Sequence, residues 1–241
     1  MKKQKSAFGL TREQEREASR FFGQHVSFPK ALSALLAALL CCLSPTLLGL
    51  RLWEAIPPIV PTGLISTEGL DDSMPRAVLV FGVPGLFAVL TLICHGQLWL
   101  HQKAQKLPPL SVRLLGRWTL PVLAVLLCPL WLLHAAGETV TGRFYLPCAL
   151  ALLLLCLGAH FFDCARESRF AFRLKSIVYK EAAWRRTHRA ASLAWMAAGL
   201  LLLFVYFALG RMPAWSAIAT LALLLVPLPA AGVFAKETIE K

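Results

Sequence analysis

The chain has 241 residues, 57% of them hydrophobic and 16% charged, with a formal net charge of +12. Soluble domains carry about 25% charged residues, and here the apolar excess falls in long blocks, which points to membrane spans and excludes an oversized soluble core. The positive balance raises nucleic acid as a partner, but no separate soluble basic domain is there to carry it, so no nucleic-acid role is expected.

Residues 1–30 form a basic polar tail, in which Thr11 and Gln14 have capping-box spacing for a short helix. The first apolar block, Ala31–Leu52, spans about 33 Å as a helix, enough to cross the hydrocarbon core. Its long polar leader and long apolar run set it apart from a cleaved signal peptide. The outer loop, residues 53–76, is interrupted by Pro57, Pro58, Pro61, Gly63, Gly69 and Pro75, so no continuous helix is expected there. Its acids include Glu68, Asp71 and Asp72, the candidate residues for recognising a cationic peptide. A solvated acidic loop face is the plainer alternative, and the spacing is not that of a calcium loop.

A second span, Ala77–Leu100, contains Pro84, whose ring frees a carbonyl that a neighbouring helix or water must satisfy. A basic connection leads to a third span, Trp118–Ala136, and a short link from there to a fourth, Tyr145–Phe162, implies a tight antiparallel hairpin. The basic segment 163–189 precedes a fifth span, Ala190–Leu209, and a sixth, Ala214–Phe234, with a polar tail at 235–241. The division is therefore a tail (1–30), a two-span module (31–117), a four-span module (118–234) and a second tail. The fold class is all-α: a polytopic integral membrane protein with six transmembrane helices.

Orientation follows from the 25 Lys and Arg. All but Arg51, Arg76, Arg143 and Arg211 fall in the two tails, the second connection and the fourth, which the positive-inside rule places in the cytoplasm together with both termini. Anionic lipid headgroups are the natural partner of that charge.

Chemistry finds little footing. The chain has no GxSxG, no HExxH, no phosphate-cradling loop and no paired intramembrane carboxylates, so no enzymatic activity and no cofactor are expected. Seven cysteines sit in or at the ends of apolar blocks without CxxC spacing, and read as small packing residues. His160, Asp163 and Cys164 share a helix face near the level of His95 and His101, but interfacial capping explains them better than a metal. His95 and His134 are titratable groups inside spans, where a functional role is the default hypothesis.

In the basic segment, Trp184 and His188 are i, i+4 neighbours, with Arg185 and Arg189 one step round the helix. An interfacial anchor accounts for the arginines, though not for a tryptophan, threonine and histidine beside them. Arg173, Glu181, the run Trp184-Arg185-Arg186-Thr187-His188-Arg189, Trp195 and Gly199 resemble the C-terminal signature of the SdpI-like bacterial membrane proteins. The chain departs from that signature at Ala171-Phe172, where Gly-Ile is usual, and at Leu174-Lys175-Ser176, where a Thr-Pro-Trp turn is usual. Ile56-Pro57, Gly69-Leu70-Asp71-Asp72 and Arg76 are similar to the N-terminal module that often heads these proteins, without the histidine that commonly follows Ile-Pro.

The resemblance implies a multi-pass protein of the bacterial inner membrane that confers immunity against, or senses, a secreted membrane-active peptide toxin. A cationic peptide outside and a repressor-type protein inside are the partners it implies. A small transporter or transporter subunit, suggested by the proline-bent spans, and a structural membrane partner are the alternatives.

Overall fold

The computed structural model describes residues 28–61, 73–103, 110–162, 164 and 171–237. Glu68, Asp71, Asp72 and Asp163 lie outside the described residues. Six helices are long and apolar enough to cross a membrane: Phe28–Arg51, Val78–His101, Arg113–Ala135, Gly142–Phe161, Glu181–Leu209 and Ala214–Lys236. The protein is an all-α, multi-pass membrane protein.

The first span is α1 (Phe28–Leu43) continued by α2 (Pro45–Arg51), and the second is a wide π turn, Val78–Gly82, running into α3 (Val83–Lys103). The third is α4 (Leu110–Ala135), the fourth α5 (Tyr145–Phe161) and the fifth α6 (Glu181–Leu209). The sixth is broken into α7 (Ala214–Leu225) and α8 (Pro227–Glu237) at Pro227. Between spans one and two, β1 (Ile59–Pro61) pairs antiparallel with β2 (Ser73–Pro75), so the described parts of the outer loop are the legs of a short hairpin. Arg76 closes its base: Nη1 donates to the carbonyls of Trp53 (3.0 Å) and Ile56 (3.4 Å), and the guanidinium lies 4.4 Å from the Trp53 ring centroid.

Prolines interrupt the helical ladder inside the spans, and each of three freed carbonyls finds a side-chain donor. Pro45 frees the Cys41 carbonyl, which accepts from Ser44 Oγ at 2.7 Å. Pro84 frees that of Val80, and Thr46 Oγ1 on α2 donates to it at 3.2 Å. Pro121 frees that of Arg117, which lies 3.3 Å from His95 Nε2 on α3. A carbonyl can only accept, so Nε2 carries the proton and His95 donates. An unsatisfied carbonyl in hydrocarbon costs several kcal/mol, so these side chains make the proline bends tolerable.

The third and fourth spans do not make the close hairpin that their short link suggests. α4 packs chiefly on α1 and α3, whereas α5 packs most extensively on α6. A short link fixes how far apart two helix ends lie, not which faces meet below it. The deciding faces are those of α5 and α6, which cross through glycines. A Cβ on Gly158 would lie 2.8 Å from the Met196 backbone nitrogen, and one on Gly199 would lie 2.7 Å from the Ala151 carbonyl oxygen. Only hydrogen fits between these backbones, the small-residue contact by which membrane helices associate. The main core gathers around this crossing, from Ala151, Leu155, Met196, Ala198 and Leu203 out to Leu132 on α4 and Leu48 on α2.

No disulfide joins the described cysteines, and Cys41, Cys42, Cys128, Cys148 and Cys164 are buried. Cys42 and Cys128 pack with Ala88 and Ala124 where α1, α3 and α4 meet, the packing role expected for small apolar residues.

Thermal unfolding in detergent checks the crossing. Gly199→Leu is expected to lose about 1–3 kcal/mol or more by overpacking against backbone. Gly232→Ala, where nothing lies within 4 Å of the new Cβ, is expected to change stability by less than about 1 kcal/mol.

Candidate functional site

Helix α6 begins at Glu181, nine residues ahead of the expected start of the fifth span, so the Trp184–Arg189 run forms its first turns. At 1.5 Å per residue the 29-residue helix is about 44 Å long, more than the roughly 30 Å hydrocarbon core requires. Helical spacing then sorts the motif onto two faces. Ala183, Trp184, Thr187 and His188 are buried, while Glu181, Arg185, Arg186 and Arg189 are exposed.

The buried face holds the chain between α5 and α6. Trp184 is 2% exposed, and its indole Nε1–H donates to the Cys164 carbonyl at 2.8 Å. The His188 ring stacks on that of Trp184 at 4.1 Å between centroids, tilted by 31°. Its Nδ1 lies 2.9 Å from the Trp184 carbonyl, which can only accept, so Nδ1 is the protonated nitrogen. Nε2 therefore has a free lone pair, and the backbone N–H of Phe172 donates to it at 3.2 Å. His188 is thus neutral, with a fixed tautomer and both nitrogens used.

Phe172 in turn packs among Phe161 (4.7 Å) and Trp195 (5.6 Å), and Trp195 Nε1 donates to the Leu224 carbonyl on α7 at 3.3 Å. Ile177 is wholly buried in a small second core with Ala183, Trp184, Ala231 and Ala235. Lys180 Nζ donates to the Ala235 carbonyl at 2.7 Å, tying the segment to the end of α8. The Thr187 hydroxyl is fully buried with no hydrogen-bond partner among the described residues.

On the exposed face, Arg185 pairs with Glu181, an exposed i, i+4 bridge that adds little stability. Arg186 lies over Phe234 at 5.9 Å and Arg189 over Phe162 at 5.5 Å. Arg173 is exposed as well. Gly199, the last residue of the motif, belongs to the crossing with α5. The burial of Trp184 and His188 takes both rings away from the headgroup layer, and the arginines alone occupy positions suited to it.

The remaining histidines are scattered. His95 is committed to the Arg117 carbonyl. His160 Nε2 lies 4.0 Å from Cys164 Sγ. Among the described residues no group of three or more His, Cys, Asp or Glu is gathered as a metal site would need. His134 sits at the opposite end of the bundle, on the last turn of α4. There Gly137, at φ 74°, ends the helix: its N–H donates to the His134 carbonyl and the Glu138 N–H to that of Leu133, the paired bonds of a Schellman cap. With the chain turned back by the cap, Glu138 and His134 both line a cavity of about 710 Å³, together with Leu127, Leu130, Trp131 and Val140. His134 and Glu138 are visible in the sequence singly, but their meeting in one cavity depends on the cap.

No family model, no curated protein and no solved structure matches this chain.

Hydrogen exchange at the Phe172 amide reads the His188 bond directly. His188→Ala should speed it about 5- to 30-fold, the equivalent of losing one or two kcal/mol. Arg185→Ala, on the exposed face, should leave it unchanged.

Proposed function

We propose that this chain is an SdpI-like immunity or sensing protein of a bacterial inner membrane, directed at a secreted, membrane-active cationic peptide. The observation that carries the reading is the cavity at the end of α4. Leu127 and Leu130 are about half exposed, so its apolar wall is continuous with the lipid-facing surface of the helix. Glu138 and His134 supply its charged and polar lining. A peptide lying in the outer leaflet presents one apolar face and one cationic face. Leu127, Leu130 and Trp131 suit the first, and the Glu138 carboxylate suits the second. Glu68, Asp71 and Asp72, outside the described residues, are the further acidic candidates of the loop expected on the same side of the membrane.

At the basic end, Arg173, Arg185, Arg186 and Arg189 project from a segment that Trp184 and His188 hold against the bundle. Positive groups at fixed positions suit an acidic surface on a cytoplasmic partner of the repressor type. Nothing in this reading needs a catalytic residue: an occupied cavity either withholds the peptide from its target or biases what the basic end binds. The proline bends, which suggested transport, serve here to shape the spans, and three of the freed carbonyls accept from side chains, two of them on neighbouring helices.

Expression in a toxin-sensitive bacterial strain tests the proposal. The chain should raise survival against a cationic amphipathic peptide, and Glu138→Lys should abolish the protection while the protein still inserts at normal levels. Unchanged killing by every peptide tried, with and without the chain, would remove it.

A further inference from the structure

The geometry points to a binding site for one anionic phospholipid at the basic end, between α1, α3 and α4. A cavity of about 180 Å³ lies there, with Ala31, Leu32 and Leu35 of α1, and Leu92 and Gly96 of α3, along its apolar walls. Phe28 and Trp99 close its end in an edge-to-face pair, 5.7 Å between centroids. The polar lining comes from His95 and Arg117; the His95 Nε2–H is donated to the Arg117 carbonyl, which leaves the Arg117 guanidinium as the donor for an anionic ligand.

Two observations say what the occupant is. The first is positive charge that meets no acidic partner among the described residues. Arg117 and Arg113 are one helical turn apart on α4 and both are partly buried. Among the described residues the Nε of Arg113 is buried without a hydrogen-bond partner, and no acidic side chain pairs with either arginine. Withdrawing a guanidinium from water with no counter-ion is expensive, and two such groups a turn apart also repel. A phosphate offers paired acceptors to guanidinium donors and neutralises both.

The second observation is the wall. Leu32 and Leu92 are 42% and 50% exposed, so the cavity is continuous with the lipid-facing surface. An inorganic anion would leave its apolar length empty, whereas the headgroup-proximal part of one acyl chain fills it with the phosphate at Arg117, one helical turn from Arg113. The site thus takes its ligand from the bilayer, in the leaflet where anionic headgroups face the basic end.

Native mass spectrometry of the full chain in detergent, with phosphatidylglycerol, phosphatidylcholine or inorganic phosphate added, tests the site. One phosphatidylglycerol per chain should be retained in preference to phosphatidylcholine, and inorganic phosphate should not displace it. Arg117→Gln should weaken retention at least about tenfold. Gly96→Leu gives a second arm that leaves the charge alone. Nothing lies within 4 Å of a Cβ there, so the variant should fold, fill the cavity and abolish retention. Equal retention of the two lipids, displacement by inorganic phosphate, or full retention by Gly96→Leu would each overturn the assignment.

Discussion

Gly158 and Gly199 allow α5 and α6 to pass with backbone against backbone, and the rest of the basic end depends on that closeness. If either position carried a side chain, its Cβ would meet a main-chain atom at under 3 Å, and main chain cannot rotate out of the way. The helices would have to part. Phe161, at the end of α5, would then leave the aromatic group it forms with Phe172 and Trp195, 5.0 Å from the latter. Phe172 would lose its packing and, with it, the geometry of its bond to His188. Membrane helices gain little from apolar burial against lipid, so contact at this range is what holds them together.

A second constraint is the supply of hydrogen-bond donors inside the hydrocarbon. Each proline within a span leaves a carbonyl that its own helix ladder does not satisfy. Ser44, Thr46 and His95 meet three of these, and each is a side chain whose presence in an apolar block invites a functional reading. For His95 the structural use is sufficient: one nitrogen donates to the carbonyl that Pro121 frees. Bent helices and buried polar residues are two aspects of one arrangement here, and neither by itself argues for a transport path.

What the sequence made legible follows from which property each signal reports. Hydropathy reports contact with lipid, so six spans were readable from it and their outer limits were close. The start of the fifth was not, because Arg185, Arg186 and Arg189 exclude lipid without excluding helix, and α6 continues through them. The i, i+4 spacing placed Trp184 and His188 on one face. Their partners, the Cys164 carbonyl and the Phe172 amide, are backbone groups and leave no trace in residue type. Pro84 announced that some neighbour must donate to Val80, but only the packing of α2 on the π turn selects Thr46. The link between α4 and α5 misled for a similar reason, since loop length carries no information about helix faces. At the outer cavity, Gly137 was the available signal: a glycine directly after an apolar helix marks a cap that turns the next residue back, and Glu138 is that residue.

The composition of the Trp184–Arg189 run follows from the extra length of α6. Topology alone needs arginines near the membrane, in any order and on any flexible segment. A helix that outruns the hydrocarbon core by two turns or more needs something else, because those turns would otherwise stand in water with one apolar side bare. Here that side is covered by residues 171–180 and by the end of α8, with Ile177 and Trp184 at the centre. Trp184 and His188 can serve because each combines a flat apolar body with polar atoms at its edge, so they pack and hydrogen-bond to backbone together. The arginines of the opposite face are thereby carried on a built surface and not on a loose tail. Fixed spacing between charges is what a specific partner can read and a headgroup layer does not require.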